Sequence, residues 1–296
     1  MADELELLRR ANPVPTDGPH FGDGPLDHHA ERRLNLLMRQ RTSRRPRLLW
    51  GLAATAIVAA LVSALLFTGG TTTPAAAAPR PLVVRADSTP VSLETLADRA
   101  RAAGGSLGLR KGTHVRTWSL GMSEDEPPIT YPEERVVRWH ADDSHTVVVD
   151  NGRDRTEQTY PPSWSDAPPQ SPPPHDAERL RAYLLEATYT EGKLDTGRLL
   201  DGVEVLLDTW QLGARESAAV ARLLADAEGL TPVGQVTDRL GRPGQAYVYT
   251  QSATRRMLIM DPATGAVLGL ETTFTEAAPE YGVKAGDVMD YSAWMR

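Results

Sequence analysis

The chain has 296 residues, no cysteine and a formal net charge of −7. Without cysteine it can form neither a disulfide framework nor a cysteine-based catalytic or zinc site. The charge is unevenly divided, because residues 1–47 carry nine arginines and seven acidic residues whereas residues 48–296 carry 23 basic and 32 acidic residues. The acidic C-terminal part argues against a nucleic-acid-binding function.

Residues 48–67 form a stretch of twenty residues without a charged side chain. A helix of that length rises ~30 Å, which is the thickness of the hydrocarbon core of a bilayer. The stretch therefore predicts one transmembrane helix. Because it begins after 47 residues and is longer than a secretory apolar region, an uncleaved signal anchor fits better than a signal peptide cleaved near the alanines at 75–78.

The flanks of this stretch predict its orientation. Five arginines precede it, namely Arg39, Arg41, Arg44, Arg45 and Arg47, and the next charged residue after it is Arg80. Basic residues near a crossing are retained on the cytoplasmic side. We therefore expect a single-pass protein of the plasma membrane with a cytoplasmic arm at 1–47, a linker at 68–81 and an extracytoplasmic domain at 82–296.

The cytoplasmic arm contains a helical pattern close to the crossing. Ala30, Leu34, Leu37 and Met38 recur at helical spacing among arginines, and the arm holds nothing large enough to cover this apolar stripe. Leu34, Leu37 and Met38 are therefore candidate residues for binding a cytoplasmic partner. The alternative is that this basic helix lies on the anionic inner leaflet or extends the membrane helix.

The first half of the exterior domain predicts a helix followed by strands. Ser92 is a typical N-cap for a helix at 92–103, which Gly104 and Gly105 would end. Alternating side chains then predict antiparallel strands at 112–122, 135–141, 144–150 and 153–159, the last two joined by a turn at Asp150-Asn151-Gly152. Residues 160–174 contain seven prolines and predict a stiff surface loop, in which Trp164 is a candidate exposed contact.

The second half of the exterior domain predicts three helical segments followed by further strands. Helical spacing of apolar residues predicts helices from residue 176, at 195–210 and at 216–228. Two hairpins follow, formed by strands at 233–240 and 245–251 and by strands at 255–260 and 266–275. Residues 286–295 predict an edge strand or a tied-down C-terminus. The sum is an α+β domain in which an antiparallel sheet packs one face on helices.

The sequence gives enzymatic chemistry little support. It contains no GxGxxG or GxxxxGK[ST] motif for phosphate binding and no serine nucleophile elbow. His140 and His145 flank an Asp-Asp-Ser segment that could bring both histidines together as a weak metal site, but this segment is also typical of a plain turn. The tryptophans could line a ligand groove, although core packing is their commoner use. We predict a protein that is not an enzyme, with no cofactor and no metal.

Several segments carry a resemblance to a known family. The opening DELELLRRANP, the basic arm, the uncharged stretch, DGVEVLLD, DRLGRPGQAYVY and MDPATGAVLGLE resemble an uncharacterised actinobacterial family of single-pass membrane proteins that is named by a locus tag. Members of that family are often encoded beside extracytoplasmic-function sigma factors, which the resemblance implies as a context. More distantly, the order of elements in the exterior domain is similar to the half-barrel sheets of lipoprotein-carrier and periplasmic sigma-regulator proteins.

Two functions follow as hypotheses. In the first, the exterior domain senses or binds a signal and the arm regulates a sigma factor or another cytoplasmic protein; the His-x3-Cys-x2-Cys zinc motif of many anti-sigma factors is absent, which leaves a zinc-free variant. In the second, the exterior domain holds a lipid or other hydrophobic ligand between sheet and helices and has no signalling role.

Overall fold

A computed structural model of the protein describes residues 79–104, 108–162, 171–189 and 192–296. All of them belong to the second of two compact units of the chain, Arg45–Arg296. Among these residues, no helix has the length and apolar character that a membrane crossing needs. The predicted arm and the predicted crossing at 48–67 lie outside the described residues.

One large antiparallel sheet dominates the described chain. Its strands are Arg110–Gly121 (β1), Ile129–Trp139 (β2), His145–Asp150 (β3), Arg155–Tyr160 (β4), Trp210–Gln211 (β5), Thr231–Thr237 (β6), Pro243–Gln251 (β7), Thr254–Met260 (β8), Val267–Phe274 (β9) and Val288–Trp294 (β10). The order across the sheet is β4-β3-β2-β1-β10-β9-β8-β7-β6, and the short β5 pairs with the start of β1. Both sequence-predicted strand groups therefore share one sheet.

The last strand differs from its prediction. The sequence suggested that 286–295 forms an edge strand or ties down the C-terminus, but β10 lies in the middle of the sheet, between β1 and β9. Its register pairs Val115 with Trp294 on one side and Leu270 with Ser292 on the other. β10 thus joins the two strand groups. This position could not be read from the sequence, because strand order depends on pairing between residues far apart in the chain.

β2 begins earlier than the sequence indicated, at Ile129 rather than Arg135, and it includes Pro132. Proline cannot donate a hydrogen bond to a neighbouring strand, which disfavours it within a sheet. Here β3 pairs only with Glu134–Trp139 of β2, so Pro132 faces a neighbour on the β1 side alone. The proline is therefore tolerated at a local edge.

In the part of the chain that the structure describes, four α-helices cover one face of the sheet, which we call the helix face: Leu93–Ala102 (α1), Ala177–Ala187 (α2), Thr196–Thr209 (α3) and Ala214–Ala225 (α4). The predicted cap of α1 is confirmed, since the Ser92 hydroxyl accepts a hydrogen bond from the Thr95 amide at 3.2 Å. The apolar stripes of the helices and the inward side chains of β1 and β7–β10 form one core. The predicted α+β class is confirmed in this form.

The opposite side of the sheet, the second face, carries a smaller apolar cluster. Its buried members are Val236, Ala246, Met257, Ile259, Leu268, Tyr291 and Ala293. The chain segment before α1 packs against this cluster through Leu82 and Val84. Both faces of the central strands are therefore covered, one by the helices and the other by the short segment before α1. Of the predicted proline-rich loop at 160–174, residues 163–170 with Trp164 lie outside the described residues.

Candidate functional site

Three carboxylates project from one side of α3 toward the sheet. Asp201, Glu204 and Asp208 are three and four residues apart, so they follow one face of the helix. α3 begins where the Asp195 carboxylate accepts a hydrogen bond from the Arg198 amide at 2.8 Å. The adjoining stripe of α3 is apolar and buried, which fixes the rotation of the helix and places the carboxylates at the helix–sheet boundary.

Arg256 of β8 is the main cation that faces these carboxylates. Its Nη1 donates to Asp201 Oδ1 at 2.6 Å and to the Gly197 carbonyl at 2.9 Å. Its Nη2 donates to Glu204 Oε2 at 2.9 Å. The side chain of Arg256 is 14% exposed, against 30% for Glu204 and 61% for Asp201. One buried guanidinium therefore holds the first half of α3 against the sheet.

A fourth carboxylate approaches the same place from the sheet. Arg256, Thr272 and Asp290 are cross-strand neighbours on β8, β9 and β10, so their side chains share the helix face. Asp290 is hydrogen-bonded to Thr272. The site, which we call the charged seat, consists of Asp201, Glu204, Asp208, Arg256 and Asp290.

The other end of the charged seat is held by the last strand. The indole Nε1 of Trp294 donates to Asp208 Oδ1 at 3.2 Å. Arg135 of β2 lies near enough to lower the pKa of Asp208, but burial raises that pKa by more. The charged seat thus links α3 to three regions of the sheet, namely β8, β10 and β2.

Burial is the largest influence on the pKa values of the buried carboxylates in the charged seat. It raises the pKa of Glu204 to about 8, against the opposing charge of Arg256. Burial also raises the pKa of Asp290 to about 6, although Thr272 and Arg256 favour its ionised form. The four carboxylates of the seat outnumber Arg256 and the nearby Arg135, so ionising all of them leaves negative charge at the helix–sheet boundary. Proton uptake or release near neutral pH therefore changes the electrostatic hold on α3.

The predicted partner-binding residues, Leu34, Leu37 and Met38, lie outside the described residues. Their role stays a prediction.

His140 and His145 do not come together. His140 Nε2 is 2.9 Å from Thr146 Oγ1, whereas the His145 ring stacks between Trp139, at 4.5 Å, and Tyr160, at 5.1 Å. Thr146 and His145 are adjacent in β3 and point to opposite faces of the sheet, so the two imidazoles do too. The segment between them is a turn, in which Asp142 accepts hydrogen bonds from Ser144. No group of three or more metal-ligating side chains occurs in the described part of the chain.

The tryptophans serve different parts of the fold rather than one groove. Trp118 packs on Tyr291 at the second face, with 5.4 Å between ring centres, and Trp210 and Trp294 belong to the main core. A cavity of about 20 Å³ lies between the helices and the sheet, lined in part by Leu207 and Val267. This volume holds about one water molecule. A lipid bound there would have to move the helices away from the sheet.

Sequence reasoning predicted the helix but not the charged seat. The spacing of Asp201, Glu204 and Asp208 is visible in the sequence and could have marked a polar side of an otherwise apolar helix. Their counter-charge could not be identified, since Arg256 is 52 residues from Glu204 and reaches it only through the sheet. Asp290 was missed because β10 was expected at an edge.

Comparison with known proteins gives little. No family model and no curated protein matches the chain. Two solved structures are similar to it. One is MucB in complex with MucA(peri), at 12% identity and a TM-score of 0.27, covering 68% of this chain and 52% of that chain. The other is the MucA/MucB complex of Pseudomonas aeruginosa, at 14% identity and a TM-score of 0.28, covering 68% of this chain and 53% of that chain. The chain thus spans about half the length of each, and at these scores the similarity says nothing of what it binds.

Proposed function

We propose that the protein is a membrane-anchored regulator. Its exterior α+β domain responds to conditions outside the membrane, and its arm at 1–47 binds a sigma factor or another cytoplasmic protein through Leu34, Leu37 and Met38. Residues 48–67 cross the plasma membrane as a signal anchor, with the N-terminus in the cytoplasm. In this proposal the sheet curves around the helices as a half-barrel, and no enzymatic reaction is assigned to the domain.

The charged seat is the observation that carries the sensing role. α3 is fixed to the sheet by ionisable groups whose charge depends on proton binding. Burial raises the pKa of Glu204 to about 8 and that of Asp290 to about 6. A sensor needs an element with two arrangements whose balance a signal can shift. A helix whose carboxylates outnumber the arginines beside them meets that need, because a change in their charge alters the electrostatic attraction between α3 and the sheet but not the apolar packing of α3.

The arm gives the most direct test. The full-length chain is purified in detergent from its own cells, as the natural sequence and as Leu34→Asp/Leu37→Asp. The control, Asn35→Asp/Gln40→Glu, adds the same charge to the same helix outside the apolar stripe. We expect a cytoplasmic protein to co-purify with the natural chain and the control, and its recovery to fall at least ~10-fold with the stripe variant, as for a buried interface anchor. Equal recovery from all three chains would contradict the proposal.

A further inference from the structure

Residues 80–91 form a strap on the second face of the sheet before α1 begins; it is extended up to Arg85 and turns at residues 86–87. Leu82 and Val84 pack against the second apolar cluster, whereas the side chain of Val83 between them is 80% exposed. Alternation of this kind is typical of an extended chain with one face covered. The strap is therefore docked by only a few side chains.

The strap is also bonded to the edge strand β6. The Arg85 amide donates to the Gln235 carbonyl at 2.8 Å, and the Gln235 amide donates to the Ser88 hydroxyl at 2.8 Å. Gly234, at φ +121°, makes room for this contact, since a Cβ there would lie 2.4 Å from Ser88 Oγ. These bonds fix the second half of the strap.

A buried carboxylate holds the first half. Glu271 of β9 is fully buried, and its Oε1 accepts a hydrogen bond from the Leu82 amide at 2.8 Å. Its Oε2 accepts from the Arg239 guanidinium, which also donates to the Arg80 carbonyl at 3.0 Å. Burial nevertheless raises the pKa of Glu271, so these hydrogen bonds stabilise the carboxylate less than full hydration would.

The two contributions to strap docking oppose each other. Covering Leu82 and Val84 favours the docked strap. Keeping the Glu271 charge away from water disfavours it, because a lifted strap would hydrate the carboxylate. We infer that residues 80–91 form a releasable latch, held shut by the hydrogen bonds of Arg239 and of the Leu82 amide to Glu271, whose release lifts the strap from the sheet and uncovers the second apolar cluster.

Trypsin offers a direct measurement on the full-length chain. The tryptic bond in the strap is Arg85–Ala86, since a proline follows Arg80. Mass spectrometry follows the peptide that starts at Ala86, and cleavage after the exposed Arg198 serves as the internal reference for opening elsewhere. Arg239→Gln leaves the buried carboxylate without its counter-charge and should raise the relative rate of strap cleavage ~10-fold.

The variant Glu271→Gln distinguishes a releasable latch from a contact that only stabilises the fold. The amide oxygen still accepts from Leu82, and Arg239 keeps its bond to the Arg80 carbonyl and its 13% exposure to water. Only the charge of the fully buried carboxylate is removed, so strap cleavage should slow at least ~3-fold. The double variant Arg239→Gln/Glu271→Gln should return the rate toward the natural value, which also covers the case in which Arg239→Gln alone fails to fold. Faster cleavage in Glu271→Gln would overturn the inference.

Arg255→Gln is the matched control. Arg255 contributes to the charge around Glu271 but makes no hydrogen bond to it among the described contacts. Its replacement should change strap cleavage by less than ~3-fold, since it removes charge without removing a bond to the strap. A change as large as that of Arg239→Gln would show that the general charge, and not the bonds between Arg239, Glu271 and the strap, sets strap docking, and would overturn the inference.

Discussion

Desolvation outweighs ion pairing at several carboxylates of the described domain. Glu204 is bonded to Arg256 at 2.9 Å, yet its pKa is raised rather than lowered. Glu134 shows the opposite balance, because its hydrogen bonds to Arg116 and His114 lower its pKa by more than burial raises it. An arginine neighbour alone therefore does not predict the direction of the pKa shift; the balance of burial against hydrogen bonds and neighbouring charges decides it.

Glu204 should make the domain less stable as pH rises. Its pKa in the folded chain is about 8, above its ordinary value of 4.5, so between these values the unfolded chain binds fewer protons and the free energy of unfolding falls with increasing pH. The free energy of unfolding of Glu204→Gln, relative to that of the natural chain, should increase by about 2 kcal/mol from pH 5 to pH 8, allowing for the partial exposure of the carboxylate. Urea unfolding of the full-length chain at both pH values measures this.

Glu178→Gln is the control for this pH series. Glu178 lies exposed in the first turn of α2, away from the charged seat. Its replacement should leave the pH dependence of unfolding as in the natural chain. If Glu204→Gln and Glu178→Gln behave alike, the charged seat does not control stability.

At the residue scale, local features were predictable and the charged seat was not. Ser92 was identified as a cap because a cap depends only on residues within four positions. The structure buries Leu93, Leu96, Ala97 and Ala100 on one face of α1, a spacing of the same short range. The bonds of Arg256 to α3 depend on how a helix and a strand far apart in the chain are placed together. No spacing rule along the sequence encodes that placement.

At the element scale, most helices and strands follow from periodicity and turn residues. The hairpin at Asp150-Asn151-Gly152 was expected from its turn sequence, and β3 and β4 pair across it, with Gly152 at φ +79°. The early start of β2 was missed because Pro132 argues against a strand unless its neighbours are known. Whether a segment forms a helix or a strand can depend on nearby residues alone, whereas its contacts with other elements depend on distant residues.

The predicted crossing at 48–67 is an element that the absence of cysteine makes easy to test. A single cysteine at Val83, whose side chain is 80% exposed, should be labelled in intact spheroplasts by a maleimide that cannot cross membranes. A single cysteine at Asp17 in the arm should be labelled only after permeabilisation, because the arginines at 39–47 are retained in the cytoplasm. Equal labelling of both positions before permeabilisation would contradict the topology.

At the scale of the whole molecule, the sheet depends on its final strand. β10 pairs with β1 on one side and β9 on the other, so it is the connection between β1–β4 and β6–β9. It also brings Trp294 to Asp208, Asp290 to the charged seat and Tyr291 to the second cluster. The seven residues of β10 thus contribute both to the charged seat and to the second apolar cluster.

Removing residues 288–296 should prevent the two strand groups from forming one sheet. We expect the truncated full-length chain to lose its resistance to protease, since the edges of β1 and β9 and the core beneath them become exposed. Adding a synthetic peptide of residues 288–296 should restore part of the resistance, and a scrambled peptide of the same composition should not. Undiminished resistance of the truncated chain would show that the sheet holds without β10.

The central position of β10 also has a consequence for the order in which the molecule is made. Val115 of β1 pairs with Trp294 of β10, which is synthesised 179 residues later. At about 5–20 residues per second, the nascent chain waits on the order of ten seconds or more with that edge of β1 unpaired. Chaperones that shield strand edges during synthesis would therefore matter more for this protein than for one whose sheet grows hairpin by hairpin from the N-terminus.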